Sequence, residues 1–198
     1  MQRRLLIVGT VAGMLAASIA LPAYAKVAVG QAAPDFTLTD SAGKTRSLSE
    51  FKGKTVVLEW NNPECPFVRK HYESGNIPKQ QADATAAGVV WLTIGSGRTG
   101  TAQMAKANKS AGGKGSAYLL DADGKVGKLY GASTTPHMYI VDAQGMLRYV
   151  GGIDSIQSAD QADVAKATQY IPQALAQLAA GKPVATATSQ PYGCSVKY

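Results

Sequence analysis

Short apolar runs bounded by turn residues recur along the chain and alternate with segments of helical periodicity. Their β-branched and aromatic residues predict strands. The predicted strands cover residues 35–39, 45–48, 55–60, 89–94, 117–120, 138–141 and 146–150. The predicted helices cover residues 65–72, 77–87, 101–109, 125–130 and 162–180, with a capped helical turn at 47–51. Pro172 is expected to bend or divide the last helix. This alternation predicts an α/β domain with a central mixed sheet flanked by helices.

The first 25 residues have the pattern of a secretory signal peptide. Arg3 and Arg4 precede an apolar stretch over 5–20, and Ala23-Tyr24-Ala25 forms a small-residue cleavage site. The apolar stretch is short and rich in glycine and alanine, so an uncleaved membrane anchor is the minor alternative. We therefore expect a domain over 26–181 and a tail over 182–198, both exported across the inner membrane to the periplasm.

The charge pattern bears on the class of partner. The formal net charge is +7, and it falls to +5 when Arg3 and Arg4 are removed with the signal peptide. The basic residues are scattered along the chain and do not form a cluster. This distribution favours solubility or acidic partners and argues against nucleic-acid binding.

Cys65 lies where a predicted strand turns into a predicted helix, with Pro66 in the first helical turn. A thiol at a helix start is close to unpaired N–H groups and to the positive end of the helix dipole, which favour the thiolate. Arg69 acts in the same direction and Glu64 opposes it. The pattern indicates a nucleophilic or redox cysteine, and the alternative is an inert, buried one.

Cys194, in the tail, is the second of the two cysteines. Cysteines of an exported protein often form disulfides, so the two are expected to pair at some stage. Cys194 would then be a resolving thiol that attacks a mixed disulfide or sulfenic acid at Cys65. Alternatively, the bond is a permanent staple, which would close a loop of roughly 130 residues and stabilise by about 4–5 kcal/mol. Pairing with another protein is a third possibility. Tyr192 and Tyr198 are expected to help dock the tail.

The order of these motifs resembles a known fold. A strand, a cysteine at the head of a helix, a β-α-β crossover and Thr134-Thr135-Pro136 before a strand resemble thioredoxin. The segments Gly30-x-x-Ala33-Pro34-Asp35-Phe36-Thr37-Leu38 and Gly53-Lys54-x-Val56-Val57-Leu58 resemble redoxins of the alkyl hydroperoxide reductase/thiol-specific antioxidant family. The resemblance covers residues 29–153.

The family patterns imply roles for several residues. Thioredoxins carry Cys-x-x-Cys where this chain has Asn62-Pro63-Glu64-Cys65, so Asn62 replaces the first cysteine and the nearby dithiol is absent. Peroxiredoxins have a proline and a threonine where this chain has Leu58 and Asn62, which argues against efficient peroxidase chemistry. Arg148 resembles the peroxiredoxin arginine that holds the thiolate.

Pro136 resembles the cis-proline that faces the cysteine in thioredoxins. We therefore expect a cis peptide bond after Thr135 and a substrate groove shaped by Thr135, Pro136, Asn62 and Glu64.

The glycine-rich pattern and the two histidines are not expected to form a cofactor or metal site. The G-x-G-x-x-G pattern at 95–100 follows a strand, but this strand is not the first of the fold, so we expect a glycine-rich loop beside the active face and no dinucleotide site. His71 is expected on the helix surface and His137 beside Pro136. With a single cysteine at the turn, neither a metal site nor another cofactor is expected.

The sequence therefore predicts an exported thioredoxin-fold thiol oxidoreductase of the antioxidant type. Cys65 is the predicted nucleophile and Cys194 the candidate resolving thiol. The expected partners are protein or small-molecule thiols and disulfides, with an external thiol as reductant. A thiol-dependent peroxidase is the first alternative. The second is a non-enzymatic binding module with a structural Cys65–Cys194 disulfide.

Overall fold

The computed structural model describes residues 27–198, and the predicted signal peptide lies outside them. Nine strands occur among these residues: β1 (Thr37–Asp40), β2 (Thr45–Ser47), β3 (Val56–Trp60), β4 (Val90–Ser96), β5 (Ala117–Asp121), β6 (Thr134–Thr135), β7 (His137–Val141), β8 (Leu147–Gly151) and β9 (Cys194–Ser195). The α-helices are α1 (Pro66–Glu73), α2 (Asn76–Ala86), α3 (Ala102–Ser110), α4 (Lys125–Tyr130) and α5 (Tyr170–Ala179). Short 3-10 turns cover Leu48–Phe51, Gly97–Thr99 and Gln161–Asp163. These elements confirm the predicted α/β class.

Seven strands form one mixed sheet in the order β2-β1-β5-β4-β3-β7-β8. Strand β3 is central, parallel to β4 and antiparallel to β7. All five of its side chains are buried because the sheet is covered on both faces. Leu58 and Trp60 pack into one core layer, and Val57 packs into the layer that also contains Cys65.

The register of the central strands places the site at one end of the sheet. Trp60, at the end of β3, pairs with His137, at the start of β7. The turn that follows β3 carries Cys65, and the residue before β7 is Pro136. Antiparallel pairing therefore brings the two predicted site segments together.

The last predicted helix was wrong at its start. Helix α5 begins at Tyr170, with Pro172 as its third residue, where a missing N–H breaks no helical hydrogen bond. The apolar periodicity that continues before Tyr170 does not extend the helix, because Gln169 already has an extended backbone conformation. Asp154 and Gln169 form an isolated antiparallel bridge instead.

The tail packs along the domain. The Val150 N–H donates to the Ala187 carbonyl at 3.1 Å, and the Ser189 N–H donates to the Val150 carbonyl at 3.2 Å. Farther on, β9 pairs antiparallel with β6. Among residues 27–198, no helix combines the length and the apolar character needed to cross a membrane.

Candidate functional site

Cys65 is the N-cap residue of α1, as predicted, and Pro66 is in the first turn. The Cys65 N–H donates to the Asn62 carbonyl at 2.9 Å, which closes the turn after β3. The Cys65 carbonyl accepts from the Arg69 N–H at 2.9 Å, which is the first bond of the helix. The side chain is only 1% exposed. Local chain geometry therefore places the sulfur at the helix start, and tertiary packing covers it.

The Thr135–Pro136 peptide bond is cis, which confirms the prediction. The Thr135 carbonyl faces Cys65, whose thiol donates a hydrogen bond to it at 3.2 Å. Both Thr135 and Pro136 are buried.

The tail brings Cys194 against Cys65. Antiparallel pairing of β9 with β6 sets Cys194 opposite Thr135. The Cys194 N–H donates to the Cys65 sulfur at 3.3 Å, and the Thr135 hydroxyl donates to the Cys194 carbonyl at 3.4 Å. Both cysteines are free thiols, and Cys194 is the more exposed of the two. The tail strand thus occupies the backbone edge beside the cis-proline and covers Cys65.

The pKa values of the two thiols are shifted in opposite directions. Burial acts to raise the pKa of Cys65, but hydrogen bonds from the Cys194 thiol and from the backbone of Val68 and Cys194 outweigh it and lower the pKa. Burial, together with the hydrogen bond and charge of Cys65, raises the pKa of Cys194 to about 11, against a smaller opposing effect of Lys197. The first proton therefore leaves from Cys65.

A buried polar cluster lies behind the tail, and His71 belongs to it. The prediction that His71 lies on the helix surface is wrong: its side chain is fully buried on the inner side of α1. Lys70 Nζ lies 3.5 Å from Asp154 Oδ2, and both side chains are fully buried. The Tyr192 hydroxyl donates to Asp154 Oδ1 and lies 3.1 Å from His71 Nε2. Asp154 was missed from the sequence, where the one signal for this cluster was Tyr192, two residues before Cys194.

The two predicted arginines do not reach the Cys65 sulfur. The Arg69 side chain is 59% exposed and pairs with Glu73 at 2.9 Å. Arg148 pairs with Asp142 near the start of β8. The adjoining end of β7 pairs with Val56, and Val56 lies about 13 Å along β3 from Trp60, the end that leads into the Cys65 turn. Neither guanidinium can therefore stabilise the thiolate directly.

Asn62 and Glu64 form the turn before Cys65. The Asn62 side-chain oxygen accepts from the Glu64 N–H at 3.0 Å, and the Glu64 side chain is exposed. Asn62 thus shapes the turn through its side-chain oxygen, and Glu64 faces solvent.

The glycine-rich loop lies beside the tail. A Cβ atom at Gly97 would lie 2.1 Å from the Lys197 carbonyl oxygen, and the next N–H, of Arg98, donates to that oxygen at 3.0 Å. This loop therefore receives the end of the tail. Within residues 27–198, no three His, Cys, Asp or Glu side chains are grouped closely enough to hold a metal ion.

Comparison with known proteins agrees with this geometry. A wheat (Triticum aestivum) chloroplastic peroxiredoxin Q is 31% identical over 136 residues, which cover 63% of this chain and 59% of the wheat protein. The thiol-disulfide oxidoreductase ResA of Geobacillus thermodenitrificans is 26% identical over 163 residues, which cover 75% of this chain and 87% of that protein. The solved structure of a hypothetical protein from Sinorhizobium meliloti superposes with a TM-score of 0.72 and 28% identity, over 88% of this chain and 96% of the other.

The family is shown by a family model and not by these relatives. The chain spans less than two thirds of the curated peroxiredoxins that it matches. The family model, in contrast, matches residues 29–150, the whole segment from the first turn to β8. The chain belongs to the AhpC/TSA family and has its thioredoxin-like fold.

Proposed function

We propose that this protein is a thiol-disulfide oxidoreductase that cycles between a Cys65/Cys194 dithiol and a Cys65–Cys194 disulfide. One observation carries the proposal: two thiols 129 residues apart meet across a strand pair beside a cis-proline. Their opposite pKa shifts make Cys65 the first of the two to ionise and Cys194 the one that keeps its proton. Such an arrangement supports thiol exchange because a thiolate is the attacking species and a nearby second thiol completes the reaction.

The exchange begins when the Cys65 thiolate attacks a sulfur of the substrate disulfide. The substrate S–S bond breaks, one substrate thiolate leaves, and a mixed disulfide forms at Cys65. Because Cys65 is 1% exposed under the tail, the tail strand must move aside for a protein substrate to reach it. The edge that the tail occupies then receives an extended segment of the substrate.

Cys194 completes the exchange. In the dithiol state the charge of Cys65 helps to raise the Cys194 pKa to about 11. Once Cys65 is covalently bonded that charge is gone, so Cys194 loses its proton more easily and attacks the Cys65 sulfur. The second substrate thiolate leaves and the Cys65–Cys194 bond forms, so the substrate gains the two electrons that the protein loses. An external thiol then reduces the protein.

The substrate class and the compartment belong to the same proposal. Protein or small-molecule disulfides fit a groove that accepts an extended backbone. Export to the periplasm is supported by the signal-peptide pattern of residues 1–25, and disulfide exchange is the usual chemistry of oxidising compartments. N-terminal sequencing of the protein recovered from periplasmic extract tests it, with Lys26 as the expected first residue.

The function is tested by the reduction potential of the pair and the pKa of Cys65. Wild-type protein is equilibrated in glutathione buffers, and the Cys65 thiolate is titrated by its ultraviolet absorbance, with Cys65→Ser as the matched blank. A Cys65 pKa well below about 8.5 and a potential above about −250 mV are expected. An ordinary pKa with a potential below about −300 mV would instead identify a structural staple.

Peroxide reduction is the second candidate, favoured by the similarity to wheat peroxiredoxin Q. Cys194 is placed to resolve a sulfenic acid at Cys65 as well as a mixed disulfide. Against it, Arg148 lies at the far end of β3, and Leu58 and Asn62 replace the peroxiredoxin proline and threonine. Slow, non-saturating consumption of hydrogen peroxide is expected. Rapid, saturable consumption with sulfenic acid at Cys65 in the Cys194→Ser variant would make the peroxidase the better assignment.

A further inference from the structure

We propose that Tyr192 is the positioning residue of the Cys65–Cys194 pair. The inference rests on the proposed function and goes beyond it, because it assigns to a tyrosine hydroxyl the control of how often the two sulfurs meet. Tyr192 is a tail residue, yet it is only 5% exposed. Its hydroxyl enters a polar pocket of the domain, and the chemistry of thiol exchange does not itself require this contact.

The pocket is complementary to a neutral tyrosine hydroxyl. Asn76 Nδ2 lies 2.8 Å from His71 Nδ1 and can only donate, so Nδ1 accepts and the ring proton is on Nε2. The Asn76 amide is held in this orientation because its oxygen accepts from Gln80 at 3.0 Å. His71 Nε2–H then donates to the Tyr192 oxygen, and the Tyr192 O–H donates to Asp154 Oδ1. The Tyr192 hydroxyl thus has both a donor and an acceptor in this pocket, whereas Asp154 Oδ2 has no hydrogen-bond partner among residues 27–198 and lies 3.5 Å from Lys70 Nζ.

The ring of Tyr192 is also held in place. Lys70 Nζ lies 5.7 Å from the ring centroid, within the range of a cation–π contact. The Phe67 ring meets the Tyr192 ring edge-on, with centroids 5.8 Å apart. Phe67, Lys70 and His71 all belong to α1, the helix that Cys65 caps. The tail is therefore anchored to the same helix that begins at Cys65.

A single residue connects this anchor to Cys194. Gly193 has a φ of +125°, and a Cβ atom there would lie 2.0 Å from the Thr135 carbonyl oxygen. The backbone of the tail thus passes directly over Thr135 with no room for a side chain. Because the connection is one residue long and closely packed, fixing Tyr192 also fixes Cys194 against Cys65.

Tyr192→Phe removes only the hydroxyl and keeps the ring. It leaves Asp154 Oδ1 and His71 Nε2 without their tyrosine partner in a buried site, which favours release of the tail. The effective concentration of Cys194 at Cys65 then falls, so the disulfide becomes easier to reduce. The Cys65 pKa rises in parallel, because the Cys194 thiol and N–H that stabilise the thiolate move away.

The test compares wild type, Tyr192→Phe and the control Tyr170→Phe in glutathione buffers. Tyr170 packs against Tyr149 in the same core layer, with ring centroids 6.1 Å apart, but it is not part of the tail. We expect a fall of at least tenfold in the disulfide equilibrium constant for Tyr192→Phe, or about 30 mV, with a raised Cys65 pKa. Tyr170→Phe is expected to match wild type in both.

A thermal melt of each variant in a Cys65→Ser background, where the Cys65–Cys194 disulfide cannot form, serves as the control for folding. If Tyr192→Phe is unfolded at the assay temperature, Asp154→Asn tests the same hydrogen bond, and a shift of the same sign is expected. A wild-type equilibrium constant and Cys65 pKa in Tyr192→Phe, or an equal change in Tyr170→Phe, would overturn this inference and leave the proposed function standing. A wild-type protein with the potential and thiol pKa of a staple overturns the proposed function and, with it, this inference.

Discussion

Acidification is expected to weaken the fold through His71. Its side chain is fully buried between Asn76 and Tyr192, and both of its ring nitrogens are engaged in the neutral form. Burial lowers the pKa of His71 from 6.5 to about 4, Asp154 opposes this, and Lys70 adds to it. A protonated ring would place an Nδ1–H against the Asn76 amide donor, so the folded state resists protonation.

The direction of the pH effect on stability depends on whether the folded or the unfolded chain binds the His71 proton more tightly. The unfolded chain takes up the proton near pH 6.5 and the folded chain only near pH 4, so the stability is fully present above pH 6.5 and is lost as the pH falls toward 4. The full difference corresponds to about 3.4 kcal/mol, at 1.36 kcal/mol for each pH unit. Between pH 7 and pH 4.5 the expected loss from His71 is about 2.4 kcal/mol.

Urea denaturation of wild type and His71→Gln at pH 7 and pH 4.5, under reducing conditions, measures this loss. Glutamine keeps an amide near the Nε2 position but does not titrate. Other groups titrate in both proteins. Burial raises the pKa of Glu59, so Glu59 changes the stability with the opposite sign as the pH falls. The difference between the two proteins therefore isolates His71. An equal loss of stability in wild type and His71→Gln would refute the reasoning.

Three further substitutions are expected to separate the contacts at the site. Cys194→Ala removes the largest of the hydrogen bonds that lower the Cys65 pKa, so that pKa should rise; an unchanged thiolate titration would contradict this. Gly193→Ala places a Cβ atom 2.0 Å from the Thr135 carbonyl oxygen, so tail docking and the rate of Cys65–Cys194 oxidation should fall at least tenfold in a thiol-trapping assay. Arg148→Ala should leave the Cys65 titration unchanged, because Arg148 pairs with Asp142 at the opposite end of β3 from the turn that carries Cys65; a shifted titration would contradict this placement.

The distances along the chain explain which predictions succeeded. The cysteine at the helix start and the strands β3, β4 and β7 depend on side chains within a few residues of one another, so periodicity and capping patterns identify them. The predicted helix over 162–180 was wrong only at its start, because its apolar periodicity continues before Tyr170, whereas Pro172 marks the first turn.

Arg148 shows where motif similarity misleads. The segment around it matches a peroxiredoxin pattern, but the register of β7 and β8 places it at the opposite end of the sheet from Cys65. Strand register is a property of the assembled sheet, so a local motif does not reveal which end of the sheet an arginine occupies.

Local sequence patterns were enough to predict the α/β class, the thiol at the head of a helix, the proline opposite it and a second thiol in the tail. The folded chain was needed to reveal that the tail covers Cys65, that His71 is buried, and that Tyr192 meets Asp154. These groups lie far apart in the chain, and their contact depends on how α1, the loop after β8 and the tail pack together. Local sequence specifies each segment's own conformation, whereas the free energy of burying polar groups with their partners specifies where the segments meet.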